Sequence, residues 1–151
     1  MSASQFDHKT GRRKFLRSAA VIAASATSAT VLAAKETHQH HQTNSSLVDV
    51  ALDCVKNGEV CKDHCIRLIK DGDTSIADCL SAVNDMLPVC SALARLAITE
   101  SKHLKDYAKV CIAICKDCEK ACEEHKDMHT ACKACMESCA QCIKECKKIA
   151  A

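Results

Sequence analysis

Residues 111–146 read CIAICKDCEKACEEHKDMHTACKACMESCAQCIKEC. The cysteines fall in two runs, Cys111, Cys115, Cys118, Cys122 and then Cys132, Cys135, Cys139, Cys142, Cys146. Within each run every step is three or four residues, the spacing that keeps side chains on one face of an α-helix. The residues between them, such as Lys116, Asp117, Glu119, Lys120, Glu123, Lys144 and Glu145, are helix formers and charges. The stretch therefore predicts two amphipathic helices whose inward stripe is made largely of thiols.

Working outward, the same phase recurs upstream. A helix is expected over about 46–70, with stripe Leu47, Ala51, Cys54, Gly58, Cys61, Cys65, Leu68. Asn44, Ser45 or Ser46 are its candidate caps, with Asp49 in the first turn. A second helix is expected over about 74–98, with stripe Ile76, Cys79, Val83, Met86, Cys90, Leu93, Ala97. Pro88 lies inside it and predicts a kink or broken turn. The third and fourth are expected over about 100–125 and 128–149, the last with Met128 and Ile149 ending its stripe. Links of a few residues make neighbouring helices antiparallel, so the fold class is all-α, an up-down-up-down four-helix bundle with a cysteine-lined core. Composition agrees: aromatics are 2% of the 151 residues, with three glycines and one proline.

At about 1.5 Å of rise per residue, the stripes define two different ends. Leu47, Ala51, Leu93, Ala97, Leu104, Ala108 and Ile149 collect at one end as an apolar plug. Cys65, Ile76, Cys79, Cys122, His125, Met128 and Cys132 collect at the other. There His125 and Met128 are expected on core-facing positions, with His64 and His129 flanking the seam.

The N-terminus is built differently. Gly11-Arg12-Arg13-Lys14-Phe15-Leu16-Arg17 is basic, Ser18–Leu32 is weakly apolar without an acidic residue, and Val31-Leu32-Ala33-Ala34 offers small residues for cleavage. Residues 1–34 resemble a twin-arginine export signal, which places the mature protein in the periplasm or another extracytoplasmic space. The apolar run is too short for a membrane span. Residues 35–45, with His38, His40 and His41, are expected to be a polar linker, and 46–151 the metal-binding domain. The first 34 residues hold five of the 21 Lys and Arg and one of the 19 Asp and Glu, so the remainder carries 16 basic against 18 acidic residues. No basic patch survives to bind nucleic acid.

Fourteen cysteines admit several chemistries. Disulfides within one helix are disfavoured, because Cβ atoms at i and i+4 lie about 5–6 Å apart and a disulfide needs about 3.5–4.5 Å. Structural zinc uses CxxC knuckles at turns, whereas Cys115–Cys118, Cys132–Cys135 and Cys139–Cys142 lie inside continuous helix patterns. Zn(Cys)₄ would also leave net negative charge in a narrow core. The ferredoxin order of cysteines on a loop is missing. Cu(I) fits best: it is soft, accepts few ligands, and one ion per thiolate leaves the core neutral. Softness alone does not separate Cu(I) from Ag⁺, Cd²⁺ or Zn²⁺, so soft-metal detoxification, and iron–sulfur or thiol redox chemistry, stand as rival readings. The candidate ligands are Cys54, Cys61, Cys65, Cys79, Cys90, Cys111, Cys115, Cys118, Cys122, Cys132, Cys135, Cys139, Cys142, Cys146, His125 and Met128. No catalytic residue is expected.

Over about residues 46–149 the four cysteine stripes resemble the Cys-rich four-helix-bundle copper storage proteins, and the twin-arginine segment resembles their exported branch. The resemblance implies a homotetramer of bundles, each holding many Cu(I) ions mostly between pairs of thiolates. It implies copper uptake at a His- and Met-bearing end, which His125 and Met128 match by position, and a role in buffering copper or supplying it to copper-accepting proteins. Pro88 and the His-rich linker are departures from that pattern.

Overall fold

A computed structural model describes residues 44–151; the expected export signal and nearly all of the expected linker lie outside them. Four helices follow one another, α1 Ser45–Lys70, α2 Ala77–Ile98, α3 Leu104–Glu123 and α4 Thr130–Ala150, with no strand among the described residues. Each helix packs on two others, α1 on α2, α2 on α3, α3 on α4 and α4 back on α1. Sulfur positions give the directions. Cys54 meets Cys139 and Cys61 meets Cys132, so numbers rise along α1 as they fall along α4. Cys79 meets Cys122 and Cys90 meets Cys115, which sets α2 against α3 in the same way. The bundle is up-down-up-down, as expected.

The turns come from local chemistry. Gly72 takes a positive φ of 96° to leave α1, a conformation glycine adopts without a Cβ penalty. The Asp73 carboxylate accepts bonds from the Ser75 backbone N–H (3.0 Å) and hydroxyl (2.6 Å). This holds Thr74–Ile76 as a turn and delays α2 to Ala77, three residues later than the stripe suggests. The expected side-chain cap on α1 is not made; Ser46 instead donates to Glu145 of α4 at 2.9 Å.

Pro88 does not break α2, which runs through it from Ala77 to Ile98. The missing N–H costs the helix a hydrogen bond, a penalty of about 3 kcal/mol for an interior proline. Packing on both flanks carries the helix across. Val83, Met86, Leu87, Cys90 and Leu93 around it are all buried. On α1, Gly58 faces this stretch. A Cβ there would sit 2.6 Å from Met86 Cε and 2.8 Å from Leu87 Cδ2. The helix accepts a glycine, at about 0.5–1 kcal/mol relative to alanine, because α2 comes that close.

One end of the core is apolar. Leu47, Ala51, Leu93, Ala97, Leu104 and Ala108 are buried there, with Ile149 packed at their edge. The outer faces carry i,i+3 and i,i+4 ion pairs such as Lys56–Asp53 and Arg67–Asp63, each worth about 0.3–0.5 kcal/mol. No described helix is long and apolar enough to cross a membrane.

Candidate metal centre

All fourteen cysteines are buried and none is in a disulfide. They owe this to phase: the inward stripes of all four helices converge on one axis. The sulfurs touch across the helices. Cys79 and Cys122 are 3.4 Å apart, Cys90 and Cys115 3.6 Å, and Cys118 and Cys135 3.8 Å. These are contacts between free thiols, since a disulfide bond is about 2.0 Å long.

The thiols form five groups with sulfurs within 4.8 Å of one another. Toward the apolar plug lie Cys54, Cys90, Cys115 and Cys142, and beside them Cys111, Cys142 and Cys146. Toward the other end lie Cys61, Cys65, Cys79 and Cys132, joined by Cys61, Cys122 and Cys135. Cys118, Cys135 and Cys139 link the halves, and Cys139 reaches Cys54 at 3.8 Å. Every expected cysteine ligand is thus in one continuous column.

Three residues, Cys61, Cys135 and Cys142, each belong to two groups. Sharing matters chemically. A tetrahedral Zn²⁺ site wants four thiolates to itself and keeps a net negative charge. Overlapping groups of three and four suit monovalent soft ions bridged by common thiolates, since Cu(I) accepts low coordination and thiolate ligands.

The protons in the column are unevenly held. Hydrogen bonds from Cys122, and then from Cys132 and Cys61, hold Cys79 far below the ordinary thiol range. Contacts with Cys111, Cys115 and Cys146 do the same for Cys142. Cys54 is lowered to about 6, first by Cys115 and then by Cys139. Cys90 is raised by Cys111 and Cys115. Burial, then the charge of Cys79, pushes Cys65 up to about 12. A thiolate stabilised by neighbouring thiols is a site where a soft cation can replace a shared proton.

A pH dependence follows. The folded chain keeps the Cys65 proton up to about 12, while the unfolded chain releases it near its ordinary value of about 8.5. Stability from this group is therefore complete below the unfolded thiol's pKa and falls as pH rises toward 12. The urea midpoint of the reduced, metal-free protein should be lower at pH 10 than at pH 8. An unchanged or higher midpoint contradicts the assignment.

At the end opposite the plug the structure corrects the sequence reading. Met128 is not core-facing; it is 71% exposed. Helix α3 stops at Glu123 and α4 starts at Thr130. The intervening residues form tight turns in which the Met128 and His129 N–H groups both donate to the His125 carbonyl, at 3.2 and 2.9 Å. Extending the α4 stripe back to 128 therefore fails. His125 is buried as expected, at 8% exposure. The imidazoles of His64 and His129 flank the seam as expected: their rings lie 4.8 Å apart and those of His125 and His129 6.3 Å, and none of the ligand groups among the described residues includes a histidine. His64 Nε2 and His125 Nδ1 are buried without a hydrogen-bond partner among the described residues. Orphaned buried nitrogens cost stability unless something binds them. The signals available in the sequence were the i,i+4 spacing of His125 and His129 and the adjacency of His64 to Cys65.

The family model described as "Copper storage protein" matches residues 39–151. No curated protein matches the chain. Among solved structures, the apo form of copper storage protein 3 from Bacillus subtilis is similar at 24% identity and a TM-score of 0.62, covering 72% of this chain and 99% of its own. A Cu(I)-bound copper storage protein, BsCsp3, is similar at 22% identity and 0.64, covering 72% and 98%. The copper storage protein Ccsp from Streptomyces lividans, loaded with 10 copper equivalents, is similar at 21% identity and 0.64, covering 74% and 88%.

Proposed function

Since the chain belongs to the copper storage protein family, we propose that it stores many Cu(I) ions along its column of inward-facing cysteines and releases them reversibly. The observation that carries this reading is the continuity of the column: every cysteine is buried, free and in contact with the same sulfur network. Each Cu⁺ displaces one proton from the network, so the core stays neutral as it fills, and burying charge, which is costly, is avoided. The cysteines bind; they do not turn over a substrate. The test is competition. Reduced protein offered one equivalent each of Cu(I) and Zn(II) per cysteine should retain copper and lose zinc on desalting. Retention of zinc in the four-cysteine groups would favour the general soft-metal reading.

Copper passes in and out at the end marked by His64, His125 and His129. Neutral imidazoles hold Cu(I) less firmly than thiolates and so hand it on. Replacing all three histidines with alanine should slow chelator removal by about tenfold, about 1.4 kcal/mol of barrier, with capacity nearly unchanged. A fall in capacity by several ions would show that the histidines are storage ligands. Met128, exposed at the same end, is a candidate for first contact with an incoming ion rather than a ligand within the column. The Arg12-Arg13 segment supports export by the twin-arginine route, and with it a periplasmic or other extracytoplasmic location. That route carries proteins already folded, which lets reduced thiols fold in the cytoplasm first. The family supports assembly as a homotetramer and delivery to copper-accepting proteins.

A further inference from the structure

Midway along the column one group of thiols draws on two helices alone, although Cys139 also touches Cys54 and Cys135 is shared with Cys61. Cys118, Cys135 and Cys139, the group that links the two halves, come only from α3 and α4. On α1 the inward position at this level is Gly58, between Cys54 and Cys61. On α2 it is Met86, between Cys79 and Cys90. Met86 is fully buried, and its methyl Cε lies 2.6 Å from where a Cβ on Gly58 would be. The missing side chain of α1 is thus what gives the Met86 side chain its place. Simple packing would be met by a pair of medium aliphatic residues, without a glycine in mid-helix. What the glycine admits instead is the single thioether on the inward stripe of α2.

We infer that Met86 is a copper ligand, its thioether completing from the α1–α2 side the coordination of an ion held by Cys118, Cys135 and Cys139. The inference deepens the storage reading and rests on it. A thioether is soft enough for Cu(I) and carries no charge, so it adds a donor at the waist without disturbing the balance of one thiolate per ion. It also holds an ion less firmly than a thiolate does. An ion at the waist can then move between the Cys61–Cys65–Cys79–Cys132 group and the Cys54–Cys90–Cys115–Cys142 group without being trapped between them.

The experiment uses the full chain labelled with selenomethionine, loaded with Cu(I) and studied by X-ray absorption at the selenium edge. A copper neighbour at bonding distance from selenium is expected, and it should disappear in the Met86→Leu variant, whose similar volume preserves the packing. No copper–selenium contact in the unsubstituted chain overturns the inference, and so does a contact that persists undiminished in the variant. Either of these results, with copper uptake intact, leaves the storage reading standing. Failure of the chain to take up Cu(I) at all overturns both.

Discussion

A chain in which Cys135 and Cys142 are both replaced by alanine should lose far more copper than two thiols' share. These two residues are hubs. Cys142 belongs to the Cys54–Cys90–Cys115 and Cys111–Cys146 groups, and Cys135 to the Cys61–Cys122 and Cys118–Cys139 groups. Removing them takes a ligand from four of the five groups and leaves only Cys61, Cys65, Cys79 and Cys132 whole. The matched control replaces Cys65 and Cys146, which sit at opposite ends of the column and belong to one group each. If ions are bridged by shared thiolates, the hub pair should cost at least about twice the capacity lost in the control, the coupling expected of residues in one network. Each Cys→Ala change removes one buried sulfur, at about 1 kcal/mol of stability, so both variants should keep their helices and circular dichroism will check that they do. Equal losses of two ions in both variants would mean that the thiols act independently and that the groups have no chemical meaning.

The column was legible in the sequence because it depends on one local rule. Residues three or four apart share a helical face, and Cys111–Cys122 and Cys132–Cys146 obey that rule without interruption. The thiol-free plug of Leu47, Leu93 and Leu104 followed from adding short links and a fixed rise per residue. What was not legible depended on contacts between distant segments or on where a helix stops. Met128 falls inward only if the stripe is extended two residues past the true start of α4, into turns closed by hydrogen bonds to the His125 carbonyl. The approach of His64 to His129 joins residues on α1 and at the start of α4, and no periodicity in either segment encodes it. Gly58 stands in the stripe of α1, and Pro88 predicts a kink or broken turn in α2. In the fold the two helices meet there, Gly58 accommodating Met86 and Leu87, and burial on either side of Pro88 holds α2 continuous. Local preference was overridden by packing at both places.

Cu(I) capacity tests the central claim most directly, and it separates the candidate chemistries by large integers. Fully reduced protein is titrated with Cu(I) under nitrogen against a coloured Cu(I) chelator, with thiols counted in the same sample. A column of fourteen cysteines in which each monovalent ion offsets one thiolate should withhold copper from the chelator until close to one ion per cysteine has been added. It should then yield in a single break, because the contact between Cys54 and Cys139 joins all the thiol groups into one connected network. Independent tetrahedral sites with four thiolates each would instead fill at three or four ions per chain. Uptake approaching one ion per cysteine is the predicted result. Saturation at three or four ions, with all thiols still reduced, would contradict it.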